Sequence, residues 1–244
     1  MRALKADIIS QLQKEILSLQ GFKHKPSDDS IRPKLGPIDA AFPNKIFPLA
    51  AMHEFLTAGL RDMAPTSGFI TCLLSSVMAK GGVCLWIHSA STVFAPALYL
   101  FGLNPERIIF ITAQKEKEKL WIMEEALKCE GLAAVVGEVA DINFTASRRL
   151  QLAVEQSRVT GFIIRDSKKN IHTNACTARW KISSLPSATI DELPGIGMPR
   201  WNIELLKIRN GKPGTWQMEW AHHKLQAVAD PPILSASTVH RKAG

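Results

Sequence analysis

The chain has 244 residues, of which 46% are hydrophobic and 21% charged, which suits one large domain or two small ones and excludes disorder along the whole length. Lys and Arg number 30 against 22 Asp and Glu, and from Arg158 onward the count is 13 basic against 6 acidic, so nearly all of the +8 net charge sits in the C-terminal third. That asymmetry points to nucleic acid or an acidic protein as a partner.

In chain order, Leu4, Ile8, Leu12, Ile16 and Leu19 recur at three- and four-residue steps, the apolar stripe of an amphipathic helix over residues 1–20 that serves as a docking arm or as a lid on the core. Charges run through this segment, so it is not read as a signal peptide. Residues 21–45 are rich in Pro, Gly, Asp and Ser and are expected to be a linker with little regular structure. One domain is expected over 46–222. Its first part alternates apolar runs at Met52–Leu56, Val83–His88, Ile108–Thr112, Ala133–Val139 and Gly161–Arg165 with helix-length segments near Ser67–Lys80, Phe94–Phe101, Gln114–Cys129 and Thr145–Arg158. Strands that are apolar throughout and separated by helices form a parallel sheet buried on both faces, hence an α/β fold with helices flanking a mostly parallel sheet.

The stretch Gly81–Pro105 carries no Asp, Glu, Lys or Arg, but its polar middle at His88–Thr92 and Pro96 make it a strand, a turn and a helix rather than a membrane span. After Arg165 the pattern changes. Thr177–Ser183, Trp201–Arg209 and Thr215–Trp220 read as strands, the last two joined by a hairpin at Asn210–Gly214, so an antiparallel extension is expected at one edge of the sheet. Leu185–Arg200, dense in Pro and Gly, is expected to be a long loop, and residues 223–244 a flexible tail. Cys72, Cys84, Cys129 and Cys176 stand far apart with no Cys-x-x-Cys pair, as reduced thiols do.

The segment after the first strand, Thr57–Gly68, occupies the place of a phosphate loop. It contains Gly59, Thr66, Ser67 and Gly68 but no Gly-Lys-Ser/Thr, and Asp62 adds charge of the wrong sign. Anion binding at the following helix N-terminus is left open. His53-Glu54 has Thr57 where a zinc helix needs its second histidine, Gly195 and Gly197 lack the third glycine of a dinucleotide fingerprint, and His222-His223 would diverge on a strand. No catalytic residue, metal site or cofactor is assigned. The binding candidates lie in the basic third, where Trp180, Trp201, Trp216 and Trp220 stand among basic residues. Trp and Arg dominate protein hot spots, and aromatic–basic mixtures also stack on single-stranded nucleic acid. The candidates for partner or DNA contact are Lys168, Lys169, Arg179, Pro199, Arg200, Trp201, Arg209, Lys212, Trp216 and Trp220.

The block DELPGIGMPRWNIELLKIRNGKPGTWQMEW (Asp191–Trp220) resembles the C-terminal signature of the ImuA family, bacterial RecA-related factors of damage-induced mutagenesis, and the order of elements fits from about Phe47 onward. The resemblance implies a RecA-like core and an accessory role beside an ImuB-like Y-family polymerase relative and an error-prone replicative-type DNA polymerase in translesion synthesis. It also implies a bacterial cytoplasmic protein, nucleoid-associated when active, with single-stranded DNA and self-association as further options. The RecA-type catalytic glutamate would fall near Ala90, and the acidic residue closing the fourth strand at Gly137 or Glu138. With the phosphate loop degenerate as well, the expectation is a noncatalytic adaptor, because phosphoryl transfer needs all of these parts. The alternatives are an ATP-dependent DNA-binding enzyme with an unorthodox phosphate loop, and a modulator of RecA filaments acting through the N-terminal helix.

Overall fold

Apolar runs become strands where the alternation places them. The computed structural model describes residues 32–90, 93–166, 172–188 and 197–228, so the segment 1–20, the tail beyond 228, Lys168, Lys169 and residues 189–196 lie outside the described residues. The first part contains β1 (Met52–Thr57), α1 (Leu60–Val77), β2 (Val83–His88), β3 (Ile108–Thr112), α2 (Glu116–Leu127), β4 (Leu132–Val139), α3 (Phe144–Ser157) and β5 (Thr160–Asp166). The second part is strands alone: β6 (Ala178–Ala188), β7 (Met198–Ile208), β8 (Gly214–Ala221) and β9 (Lys224–Ala227). All nine form one sheet in the order β3-β2-β4-β5-β1-β6-β7-β8-β9. Pairing is parallel from β3 to β6 and antiparallel from β6 to β9.

Two apolar layers hold the sheet. On one face α1, the segment Leu35–Phe47 and the turn around Leu98 pack over Phe55, Trp86, Val136, Phe162, Trp180, Ile203 and Met218. Trp180 is fully buried and stacks on Phe55 with ring centres 6.1 Å apart, while Phe69 of α1 leans on both. Each such side chain contributes about 1.5–3 kcal/mol by burial. On the other face α2 and α3 bring Met123, Leu127, Leu150 and Val154 onto Leu85, Val135 and Ile163. This second layer includes no residue of β7, β8 or β9 among the described residues, so the antiparallel strands are covered on one face only.

The structure departs from the sequence reading in five places. Helix α1 begins at Leu60 rather than near Ser67. The Phe94–Phe101 segment is a 3-10 helix over Ala95–Phe101, with Pro96 in its first turn and a left-handed Gly102 ending it. Part of the expected linker is structured: Gly36–Ala41 and Pro43–Lys45 form 3-10 turns, because Leu35, Ile38, Ala41 and Phe42 are apolar enough to seal the antiparallel strands. The expected Leu185–Arg200 loop is shorter, since β6 runs to Ala188 and β7 starts at Met198; an irregularity between Leu185 and Ala188 accommodates Pro186, which has no N–H to give the ladder. The sheet also continues past residue 222, where His222 and His223 turn the chain into β9.

The hairpin at Asn210–Gly214 forms as expected. Gly211 is required there, because a Cβ would stand 2.3 Å from the Ala41 carbonyl oxygen, and the next amide, Lys212 N–H, donates to that same oxygen at 2.9 Å.

Candidate functional site

The corner that sequence position assigns to a phosphate loop is closed by the chain itself. Only Ala58 and Gly59 connect β1 to α1, and Gly59 has φ 127° and ψ −166°, backbone that a side chain would strain. Asp62 reaches back from the first turn, and its Oδ2 accepts the Ala58 N–H at 2.9 Å. A helix N-terminus attracts anions through its free N–H groups and dipole; here a carboxylate of the same chain already stands beside it. Thr66, Ser67 and Gly68 are not loop residues but lie within α1. The Thr66 and Ser67 hydroxyls are buried, with no hydrogen-bond partner among the described residues. Gly68 serves packing, since a Cβ there would approach the Trp201 ring to 3.1 Å and the Phe101 ring to 3.2 Å.

The neighbouring acidic position is likewise engaged. Glu138 ends β4 next to Val139, and its Oε1 accepts the Trp86 indole N–H at 3.0 Å. The buried Lys119 of α2 donates to the Glu138 carbonyl oxygen and to the Ser89 hydroxyl, both at 2.9 Å, and pairs with Glu116. Glu116 in turn accepts the Ala140 N–H at 2.6 Å. The strand end is thus tied down by α2. Ala90, where the resemblance puts a catalytic glutamate, is exposed.

At the seam between the two kinds of pairing lies a network that the sequence reading missed. Glu54 of β1 and Arg165 of β5 are both buried and form an ion pair at 3.3 Å. Arg179 of β6 closes on the other Glu54 oxygen. Arg165 continues to Asp141 Oδ1 at 2.9 Å, and Arg179 Nη2 donates to the His172 carbonyl at 2.9 Å. One carboxylate therefore links three adjacent strands. The signal was visible as charges inside apolar runs: Glu54 alone in MHEFLT, Arg165 next to Asp166 at the end of TGFIIRD, and Arg179 with Lys181 in ARWKIS. Charges are almost never fully buried unless paired.

The binding candidates separate into distinct environments. Arg179, Lys207 and Arg209 clamp the β5–β6 connection by donating to the carbonyls of His172, Asn174 and Ala175 at 2.9, 3.1 and 3.4 Å. Desolvation lowers the pKa of Lys207, and the nearby Arg179 adds to the shift. Arg200 pairs with Glu219, and Lys181 with Glu204 at 3.2 Å. Lys212 is exposed and Pro199 half-buried. Trp201 and Trp220 are buried, and Trp216 packs against the same core. The reason is the two-residue period of a strand: in Arg179-Trp180 and Arg200-Trp201, neighbours point to opposite faces. The tryptophans go to the core and the arginines to the opposite face, so the described strands present no mixed aromatic–basic surface. The uncovered face of β6–β8 carries Lys181, Asn202, Glu204, Leu206, Thr215 and Gln217.

His53 and Glu54 divide in the same way. His53 faces the aromatic core, donates from Nε2 to the Pro48 carbonyl at 2.7 Å and stacks on Phe47 at 4.5 Å. Burial lowers its pKa to about 4. Cys72, Cys84 and Cys176 are buried, with thiol pKa values raised chiefly by desolvation, that of Cys176 to about 12; Cys129 is exposed. Among the described residues no three His, Cys, Asp or Glu side chains converge as a metal site would need, and no helix is long and apolar enough to cross a membrane.

Two curated relatives, Protein ImuA from two strains of Caulobacter vibrioides, are each 34% identical to the chain over 194 residues, covering 75% of this chain and 80% of the relative. A solved structure, the RadB recombinase, is similar to the chain with a TM-score of 0.51, covering 75% of this chain and 93% of that one at 15% identity. At that identity the likeness carries the fold alone, and the fold is RecA-like. No family model matches the chain.

Proposed function

Because the chain belongs to the ImuA family, with a RecA-like fold and an accessory role in the response to DNA damage, we propose that it is a noncatalytic adaptor of translesion synthesis. In this reading it holds an ImuB-like polymerase relative and an error-prone replicative-type polymerase together in the bacterial cytoplasm, at the nucleoid. The observation that carries the noncatalytic half is the two-residue β1–α1 connection with Asp62 turned onto it. Phosphate oxygens and this carboxylate would compete for the same backbone donors, and like charges at such distances repel.

The adaptor half rests on the uncovered face of β6–β8. It is polar, its charged residues are paired in place, and Leu206 stands exposed near the end of β7, where the register with β6 shifts. Truncation is a poor probe of this face, because β7 and β8 carry core residues. The experiment is a pull-down of the cognate ImuB-like protein with the full chain and with Leu206→Glu and Thr215→Arg variants, alongside an assay of ATP hydrolysis with and without single-stranded DNA. Capture by the parent chain, loss of capture by both variants and no DNA-stimulated hydrolysis are expected. Failure of the parent chain to capture the partner would remove the adaptor reading, and DNA-stimulated turnover would remove the noncatalytic one.

The rival reading, an ATP-dependent DNA-binding enzyme, is favoured by one feature, the acid retained at Glu138. Substituting Glu138 by Gln would then abolish hydrolysis. The indole hydrogen bond from Trp86 instead supports a positioning role for that carboxylate within the strand end.

A further inference from the structure

The far end of α1 holds a cavity of about 230 Å³, bounded by the last turns of α1, the segment Arg32–Leu35 and the β8–β9 hairpin. Its polar lining is of one kind. Lys34, Lys224 and Arg32 supply cations, His223 an imidazole and Ser76 a hydroxyl, the Ser75 hydroxyl donates to the Cys72 carbonyl at 2.8 Å, and among the described residues no carboxylate lines it. Leu35, Trp220 and Leu225 make an apolar wall, and the Cys72 thiol beside them is kept protonated by burial.

A second feature converges on the same place. His222 and His223 form the two-residue turn between β8 and β9 with φ values of 50° and 57°. Consecutive left-handed residues at such a turn favour Asn-Gly, and a side-chain-bearing pair is strained there. The strained position 223 is the one whose side chain lines the cavity. A glycine would relieve the strain and remove the imidazole.

We propose that this cavity binds a phosphoryl group, presented by a free nucleotide or by the phosphorylated end of a nucleic acid. A phosphoryl group offers three terminal oxygens and close to two negative charges, which matches a lining of several cations and a hydroxyl better than a single carboxylate does. The apolar wall beside the cations suits the ring of an attached nucleoside. The helix end contributes nothing favourable, because a C-terminus carries partial negative charge. The whole attraction therefore comes from side chains, and removing them removes it. The site lies apart from the β1–α1 corner and from the uncovered face of β6–β8, so it stands or falls independently of the adaptor reading.

The test is a calorimetric titration of the full chain with inorganic pyrophosphate at fixed salt. Saturable binding is expected, weakened about tenfold by Lys34→Ala and by Lys224→Ala, since each removes a charge-assisted contact. The paired change His222→Asn with His223→Gly is expected to raise the melting temperature and still weaken binding, which separates loss of the site from loss of the fold. Competition with a 5′-phosphorylated oligonucleotide and its 5′-hydroxyl counterpart identifies the source. Stronger competition by the phosphorylated strand assigns a nucleic-acid end, whereas displacement by ATP but by neither strand assigns a free nucleotide. Pyrophosphate titrations that do not saturate, lysine variants that bind like the parent chain, or equal competition by a polyglutamate peptide would each overturn the proposal.

Discussion

The parallel strands β3 to β1 and the antiparallel strands β6 to β9 share one sheet, yet they are finished differently. The parallel block is covered on both faces except at its edge strand β3, where Ile109 and Phe110 are exposed, and its strand ends are fastened by short-range contacts: Asp62 on Ala58, Lys119 on Glu138, Glu116 on Ala140. Among the described residues the antiparallel block is covered on one face only, and on the other its charges are balanced in pairs. Fold families of this kind place their chemistry at the strand ends of the parallel block. Here that edge is fastened shut, and the strands added beyond it offer a separate polar face. A protein built this way has its rigid part in the parallel block and its contact area in the antiparallel one.

The seam between the blocks is the most sensitive place to break this arrangement. Replacing Glu54 by Ala strands Arg165 and Arg179 without their shared carboxylate, and denaturant unfolding should show a loss of about 3–5 kcal/mol. A second effect is set by pH. His53 has a folded pKa of about 4, below the value of about 6.5 in an unfolded chain. The unfolded state therefore takes up the proton first as pH falls. Stability is intact above pH 6.5 and declines down to pH 4 by about 3 kcal/mol, and His53→Phe should flatten that part of the pH profile.

Smaller changes sharpen the contrast. Asp62→Ala removes the carboxylate that closes the β1–α1 corner and should cost about 1 kcal/mol, the scale of a lost helix cap. If the corner is shut chiefly by this residue, the same variant gains sulfate-dependent thermal stabilisation that the parent chain lacks. On the uncovered face, Arg200→Ala breaks an ion pair in which both partners keep some solvent exposure, so less than about 1 kcal/mol should be lost. A loss comparable to that of Glu54→Ala would mean that this face is a structural element rather than open surface.

The parallel strands were legible because burial on both faces leaves an unbroken apolar run in the sequence, as in VCLWIH, and the edge strand IIFIT is equally apolar although only its Ile108 is buried. The early start of α1 was hidden because its first turns, LRDMAPTSG, are full of residues that ordinarily mark loops. Pro65 stands inside the helix as its sixth residue and cannot donate to the Arg61 carbonyl, while Asp62 caps from inside. The 35–45 segment and β9 were hidden for a related reason, since their order comes from apolar contacts with distant strands rather than from local periodicity. The grouping of arginines with tryptophans was correct along the chain and misleading in space, because adjacent strand residues part to opposite faces. The Glu54 network was within reach, since a lone charge in a run otherwise apolar calls for a partner on the next strand.

The aromatic stack around Trp180 also makes the molecule its own optical gauge. This indole is fully buried against Phe47, Phe55 and Phe69, whereas Trp121 on α2 is 62% exposed. The two chromophores therefore emit at opposite ends of the tryptophan range. The Trp180 N–H lies 3.4 Å from His53 Nδ1, so protonating that imidazole would break the contact and dim the bluer component first. A change in one colour before the other would reveal whether the buried core, to which Trp86, Trp201 and Trp220 also contribute, and the surface of α2 come apart together or in turn.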